Sequence, residues 1–170
     1  MKKLVLPALL ALTLAACSST GPETAGTAVE DRGAGVATVT AGSASGSGIA
    51  ALTDPNNILS KRSVFFDFDS YVIKQEARPL VEAHARFLVQ NPQMRMLIQG
   101  NTDERGSREY NLALGQKRAD VVKQALMLLG AKEAQIESVS LGEEKPRCED
   151  RTEACYGENR RGDMLYSGEF

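Results

Sequence analysis

The sequence lacks tryptophan and contains one histidine, three cysteines and few aromatic residues, which make up 5% of its 170 positions. Platforms on which nucleic-acid bases could stack are therefore scarce. The formal net charge of −2 offers no basic surface for a phosphate backbone, so a nucleic-acid partner is not expected. His84 has no second histidine or cysteine at metal-ligand spacing, and it lies on the apolar side of a predicted helix. It is interpreted as structural, and neither a metal nor a cofactor is predicted.

Long apolar runs are also missing, except for residues 4–16, which follow two lysines. This run is shorter than the about 20 residues that a membrane-spanning helix needs, so residues 1–16 are predicted to be a signal peptide. The run ends at Cys17 in a pattern that resembles the lipobox of bacterial lipoproteins, where the cysteine becomes the acylated first residue. Cys17 is therefore predicted to be a lipid anchor, although a plain secretory signal is the alternative. By analogy, Ser18 rather than Asp favours the outer membrane.

Residues 17–60 are rich in Gly, Ser, Thr and Ala and have neither a helical nor a strand period. They are predicted to form a flexible tether after the lipid anchor. About 43 such residues span roughly 35 to 40 Å on average. Whether residues 49–59 belong to the tether or pack on the next domain is left open. Residues 61–170 have the right length for one domain with a single core.

Short β-rich segments alternate with longer helical patterns in residues 61–170. Their order predicts an α/β fold, a two-layer sandwich with a mixed sheet and both long helices on one face. The first long helix should have Pro79 in its first turn, and the second should run from a Ser107 cap to Gly130. The predicted strands are 63–68, 94–99, 136–141 and 164–166, the predicted long helices are 74–91 and 107–129, and a short helix surrounds Asn159.

A polar stretch, residues 100–111, joins the second strand to the second long helix and reads GNTDERGSREYN. It places Asp103 before the helix, while Asn111, Leu114 and Arg118 follow at a spacing that puts them on one helical face. An ionised Asp suits an ammonium group, and the planar guanidinium of Arg suits a carboxylate. Asp103 and Arg118 could therefore hold opposite charges of a zwitterion above Asn111 and Leu114. A structural salt bridge that caps the helix is the alternative.

From about residue 63 to residue 159, this pattern resembles the peptidoglycan-binding domain of the OmpA-like family, and most closely its peptidoglycan-associated lipoproteins. The resemblance implies noncovalent binding of peptidoglycan through the diaminopimelate of the stem peptide. It assigns the two charged contacts to Asp103 and Arg118.

The same resemblance adds Phe68 and Asp69, which contact the stem peptide in related lipoproteins, and Arg160, which supports the site. An ordinary strand end and a solvated charge pair are the respective alternatives. The Gly-Asp pair that follows Arg161 departs from the family pattern. It leaves open whether Arg160 or Arg161 faces the site.

In relatives, a periplasmic propeller protein of the Tol system docks on this domain, which implies a TolB-like partner and a role in holding the envelope together during division. The alternative is a periplasmic peptidoglycan-cleaving enzyme that uses Asp69 or Asp67 with Asp103 as an acid and base pair. The sequence has no evident nucleophile with a base. An Arg118 next to Asp103 would also lower the carboxyl pKa rather than raise it, so no enzyme is predicted.

The remaining cysteines, Cys148 and Cys155, lie in a polar segment of a chain predicted to reach an oxidising compartment. A disulfide between them is possible once Cys17 carries lipid, and its effect would be to stiffen a loop. Free thiols are the alternative.

Overall fold

The structure is a computed structural model that describes residues 47–170, with side chains from residue 49 onward. The predicted signal peptide, the lipidated Cys17 and the tether up to residue 46 lie outside the described residues. Within residues 47–170, no helix has the length and apolar character needed to cross a membrane.

Four strands form one mixed sheet in the order β1-β4-β2-β3. The strands are β1 Ser63–Phe65, β2 Met96–Asn101, β3 Ile136–Gly142 and β4 Arg161–Tyr166, and the helices are α1 Ser47–Thr53, α2 Arg78–Gln90, α3 Arg108–Leu128 and α4 Glu153–Asn159. Strand β4 is antiparallel to both β1 and β2, whereas β2 and β3 are parallel. Helix α3 packs on β2 and β3 and contacts α2. The predicted α/β fold is confirmed.

The core lies between this sheet and the two long helices. Strands β1 and β2 alternate buried and more exposed residues, so one face of each strand supplies apolar side chains to the core. Core residues with at most 2% of their surface exposed include Val64, Phe66, Leu88, Met96, Ile98, Val122, Leu126 and Met164.

Local sequence signals account for the ends of the long helices. Pro79 lies in the first turn of α2, and its missing N–H cannot donate to the carbonyl of Gln75, so the regular helix begins at Arg78 rather than at the predicted Lys74. The Ser107 hydroxyl oxygen accepts a hydrogen bond from the Tyr110 N–H at 3.2 Å and caps α3, as predicted.

Helix α3 lies unusually close to β2 where two glycines meet. A Cβ atom added to Gly100 would come within 1.8 Å of the Gly115 carbonyl oxygen. A Cβ atom added to Gly115 would come within 2.3 Å of the Ser140 hydroxyl oxygen. Only glycine permits this approach, which holds the first half of α3 directly over the end of β2. The polar residues at the end of β2 and in the first half of α3 therefore lie close together.

Strand β4 is longer than predicted, because Gly162 and Asp163 lie inside it rather than before it. Gly162 pairs with Gly100 on one side and with Val64 on the other. The Asp163 carboxylate accepts a 2.8 Å hydrogen bond from Arg161 Nε, so this poor strand former keeps its charge compensated inside the sheet.

Residues 49–59, which the sequence left unassigned, pack on the domain. Leu52 of α1 is buried in the core and Leu59 packs against it. Arg62 Nη2 donates to the Leu52 carbonyl at 3.0 Å. The folded unit therefore includes α1, upstream of Lys61.

His84 is completely buried on α2, as expected for a structural histidine. Its Nε2 lies 2.8 Å from the Lys61 carbonyl, which can only accept, so Nε2 carries the proton and Nδ1 accepts from the Tyr166 hydroxyl at 2.9 Å. Burial lowers the pKa of His84 to about 4, despite the Lys61 carbonyl, which favours the protonated form.

Candidate ligand-binding site

A pocket of about 210 Å³ opens at one edge of the sheet. Strands β1 and β2 are both antiparallel to β4 and therefore run in the same direction, so the chain segments that follow them meet at this edge. All seven residues predicted for the peptidoglycan site line the pocket: Phe68, Asp69, Asp103, Asn111, Leu114, Arg118 and Arg160. Four others that the sequence did not single out line it as well: Thr102, Arg105, Gly106 and Tyr110.

Arg118 forms the most deeply buried wall of the pocket, with no exposed side-chain surface. Its Nε donates to the Ser70 carbonyl at 2.8 Å, Nη1 to the Asn101 carbonyl at 2.9 Å and Nη2 to the Asp67 carbonyl at 3.1 Å. Burial lowers the pKa of Arg118 to about 10, so the guanidinium remains charged at neutral pH. Three of its five N–H groups are used in this way, and two remain for a ligand.

Asp103 is also buried, with 4% of its surface exposed. Its Oδ1 accepts from the Arg105 backbone N–H at 3.1 Å, and Oδ2 accepts from Arg105 Nη2 at 2.7 Å and from Arg160 Nη1 at 3.1 Å. Burial by itself would raise the pKa of the Asp103 carboxyl, but the hydrogen bonds from Arg105 and Arg160 outweigh it and hold the pKa below its usual range. The charge partners of Asp103 are thus Arg105 and Arg160 rather than Arg118.

Arg105 is the charged member of the site that sequence reasoning missed. Its guanidinium carbon lies 4.2 Å from the centre of the Phe68 ring and 4.4 Å from the centre of the Tyr156 ring. Its Nη1 also lies 3.2 Å from a carboxylate oxygen of Glu153. Its position two residues after Asp103 was visible in the sequence, but Phe68, after β1, and Tyr156, on α4, lie too far along the chain for any local pattern to predict them as its partners.

Arg160 faces the pocket and Arg161 does not, which resolves the choice that the sequence left open. Arg160 donates from Nε to the Phe66 carbonyl at 3.2 Å, in addition to its contact with Asp103. Arg161 pairs with Asp163 instead. The two side chains diverge because neighbouring residues of an extended chain point to opposite faces.

Asp69 and Tyr110 form the outer rim of the pocket. Asp69 has a left-handed backbone with φ of +51°, which is uncommon for residues other than glycine and often marks a functional site. The Tyr110 hydroxyl donates to its carboxylate. Below the rim, Leu114 and Asn111 are buried on α3, and the Asn111 amide donates to Glu143.

Helix α4, which precedes Arg160, is held in place by two features. Cys148 and Cys155 form a disulfide that joins the helix to the preceding loop. Asn159 closes the same loop, since its Oδ1 accepts from the backbone N–H groups of Arg147 at 2.7 Å and Cys148 at 3.1 Å. The loop and helix therefore support the Asp103 side of the pocket.

The chemistry of the pocket suits binding better than proton transfer. Asp103 is kept ionised by two guanidinium groups, whereas a general acid needs a raised pKa. Between residues 47 and 170, no group of three acidic, histidine or cysteine side chains is arranged to hold a metal ion. The pocket instead brings three arginines together with Asp103 and Asp69, which matches a ligand that carries charges of both signs.

Comparison with protein families gives a match to the OmpA family over residues 65–160. This range contains both long helices, β2, β3, α4 and Arg160, together with the last residue of β1.

Two curated relatives illustrate the extent of the similarity. A peptidoglycan-associated lipoprotein of Haemophilus influenzae is 39% identical over 153 residues, which is 90% of each chain. Another protein of that name, from Pasteurella multocida, is 47% identical over 104 residues, 61% of this chain and 69% of the relative.

Solved structures give the same result for the fold. The crystal structure of the peptidoglycan-associated lipoprotein from Burkholderia pseudomallei matches with a TM-score of 0.68 and 56% identity, over 69% of this chain and 99% of that chain. The C-terminal domain of Helicobacter pylori MotB matches with a TM-score of 0.58 over 63% of this chain and 84% of that one, but at 21% identity this shows a shared fold alone.

Proposed function

This chain belongs to the OmpA family, among its peptidoglycan-associated lipoproteins, and on that premise we propose that it binds peptidoglycan noncovalently through the diaminopimelate of the stem peptide. The far end of diaminopimelate is an amino-acid head, with an ammonium and a carboxylate on one carbon. A buried guanidinium and a buried carboxylate in one pocket of about 210 Å³ are the observation that carries this proposal.

The carboxylate of the head is proposed to bind at Arg118. Three backbone carbonyls already hold this guanidinium in position, so binding requires little reorganisation of the side chain. Its two unused N–H groups suit a carboxylate, and the backbone N–H groups of Ser107 and Arg108 at the start of α3 are proposed as further donors for a negative charge.

The ammonium is proposed to bind on the Asp103 side, with Asp69 and Phe68 at the rim. Asp103 is ionised, and burial strengthens its interaction with a positive charge because water screens it less. Asn111 and Leu114 would contact the carbon chain from below, while Arg160 fixes the orientation of Asp103.

We also propose a wider role, which depends on the segment that precedes the folded domain. We propose that residues 1–16 are removed, that Cys17 carries lipid in the outer membrane, and that the residues after it tether this membrane to the cell wall. A TolB-like protein of the Tol system is the proposed second partner, with a function during cell division. Membrane release of a Cys17→Ser variant, and cross-linking to the purified propeller protein, test these two parts separately.

Retention on purified peptidoglycan tests the central proposal. Asp103→Asn removes the negative charge with little change in shape, and Arg118→Lys keeps a buried cation but loses the planar fork. We expect both variants to be retained at least tenfold less than the parent, corresponding to about 1.4 kcal/mol.

Glu137→Gln provides the matched control, because it removes an exposed carboxylate on β3 and should leave retention unchanged. Circular dichroism verifies that each variant is folded. Undiminished retention of both site variants would end the assignment, and release of soluble fragments from the peptidoglycan by the parent would replace it with the enzyme alternative.

A further inference from the structure

Arg105 fills the part of the pocket that the ligand ammonium needs. We propose that Arg105 is an internal cation that occupies this subsite in the free protein, and that a ligand ammonium displaces it. The subsite consists of the Asp103 and Glu153 carboxylates and the Phe68 and Tyr156 rings. This inference rests on the proposed function, because it identifies what the bound amine must replace.

The surroundings of Arg105 are those of a cation-binding cage. Its guanidinium carbon lies between two aromatic rings, 4.2 Å from Phe68 and 4.4 Å from Tyr156. Carboxylate oxygens of Asp103 at 2.7 Å and Glu153 at 3.2 Å complete its side-chain contacts. Aromatic faces and carboxylates would attract an ammonium group for the same electrostatic reason.

Arg105 and a ligand amine compete for one oxygen of Asp103. Each carboxylate oxygen has about two lone-pair positions, and both positions of Oδ2 are occupied, one by Arg105 Nη2 and one by Arg160 Nη1. The other oxygen, Oδ1, accepts from the Arg105 backbone N–H. When the Arg105 side chain leaves, the oxygen that faces the cage is free to accept from an ammonium, while the backbone contact remains.

Among the three arginines of the pocket, Arg105 is the one that can leave with the least disruption. Arg118 and Arg160 donate to backbone carbonyls and are buried. Arg105 has 35% of its side chain exposed, and its Nε, although buried, has no hydrogen-bond partner among residues 49–170. All its side-chain contacts are with other side chains, so the Arg105 side chain can leave without breaking a hydrogen bond to the backbone.

The exchange explains how the site could select for an amine. An incoming ammonium replaces one positive charge with another, so Asp103 and Glu153 keep a counter-charge throughout. A ligand that carries only carboxylates cannot make this replacement and must bind with Arg105 in place. Arg105 therefore reduces the apparent affinity for the amine-bearing ligand, since part of the binding energy is spent on displacing it.

Titration calorimetry on the full-length protein in detergent tests the inference with two probes. Meso-diaminopimelic acid carries both charges, and pimelic acid is the same diacid without amines. Arg105→Met keeps an apolar chain between the rings and removes the internal cation. We expect about tenfold tighter binding of diaminopimelic acid and no gain for pimelic acid. Arg108→Met, which removes an exposed arginine paired with Glu144, should bind both probes like the parent.

Equal or weaker binding of diaminopimelic acid by Arg105→Met, when the parent binds it, would overturn the inference and leave the proposed function standing. Failure of the parent to bind either this probe or peptidoglycan would overturn both.

A second measurement on the parent protein does not depend on the folding of a variant. Because the Arg105 guanidinium lies close to the Phe68 and Tyr156 rings, its Nε proton should show a large ring-current shift in nuclear magnetic resonance spectra. Saturation with diaminopimelic acid should return this resonance to the range of an exposed arginine, whereas pimelic acid should not. A resonance that keeps its ring-current shift at saturation would refute displacement.

Discussion

The two charged halves of the pocket are built in different ways. Arg118 is held by three backbone carbonyls from two chain segments, those of Asp67 and Ser70 after β1 and that of Asn101 at the end of β2, and has no exposed surface. Asp103 is held by the side chains of Arg105 and Arg160 and by one backbone N–H. One half is thus part of the folded framework, whereas the other is assembled from side chains that can rearrange.

This difference indicates how a small pocket can combine affinity with selectivity. A carboxylate that reaches Arg118 meets a guanidinium that backbone carbonyls already hold in one orientation, so no existing contact of Arg118 has to be replaced. An amine must replace an existing contact of Asp103, so binding on that side depends on what the ligand offers in exchange. Substitutions at Arg118 and at the Cys148–Cys155 disulfide test whether the two halves differ in this way, and His84 adds a buried base outside the pocket for comparison.

The largest expected effect belongs to Arg118→Met, which should destabilise the whole domain. Three carbonyls would lose their donor, that of Asn101 in a buried hydrogen bond and those of Ser70 and Asp67 in half-buried ones, and leaving a buried group unsatisfied costs about 1 to 3 kcal/mol. We expect the free energy of unfolding, measured with urea, to fall by about 3 kcal/mol or more. Lys117→Met, the exposed neighbour on α3, should change it by less than about 0.5 kcal/mol. Equal effects of the two substitutions would contradict a framework role for Arg118.

A second prediction concerns His84, a buried base that is kept neutral, in contrast to Arg118, which stays charged. Below pH 6.5 the unfolded chain binds a proton at this residue, while the folded protein does so only near its pKa of about 4. The free energy of unfolding should therefore have its full value above pH 6.5 and should fall by roughly 3 kcal/mol as the pH drops towards 4.

Urea unfolding at a series of pH values measures this slope, and His84→Gln serves as the control because glutamine does not titrate. The variant should lose most of the slope between pH 6.5 and pH 5, where the carboxylates remain ionised in both states. An unchanged slope in the variant would assign the pH dependence to other groups.

The smallest effect is expected from the double variant Cys148→Ser/Cys155→Ser. Loss of a short disulfide loop should lower stability by about 2 kcal/mol. Because α4 supports Glu153 and Arg160 on the Asp103 side, binding of diaminopimelic acid should weaken while binding of pimelic acid stays the same. Equal weakening for both probes would show that α4 supports the pocket as a whole, and the comparison between its halves would lose this support.

Local patterns in the sequence predicted much of the fold because they depend on neighbouring residues. The Ser107 cap sets the start of α3, and Gly130 takes the left-handed conformation, with φ of +101°, that ends it. Strand β4 was predicted too short for the same reason. Gly162 and Asp163 are poor strand formers, and only their partners in the sheet explain their place in it.

Helical spacing, together with a resemblance that spans most of the domain, identified the seven predicted pocket residues, and the structure brings all of them to one cavity. Their contacts were less predictable. The sequence predicts Arg118 and Asp103 in one site, but the Arg118 guanidinium donates to backbone carbonyls and Asp103 pairs with two other arginines. The role of Arg105 depends on Phe68 and Tyr156, which no local pattern connects to it.

The sequence by itself determined the residue types of the site and the helix and strands that carry them, since helical spacing, capping and strand alternation act over a few residues. Only the tertiary structure decided which charges meet. Asp103, Arg105 and Arg160 come together, and Arg118 is left to the backbone, because sheet order and helix packing join segments that are distant in the chain. Electrostatic partners depend on distance in space, and that distance is set by the packing of the core.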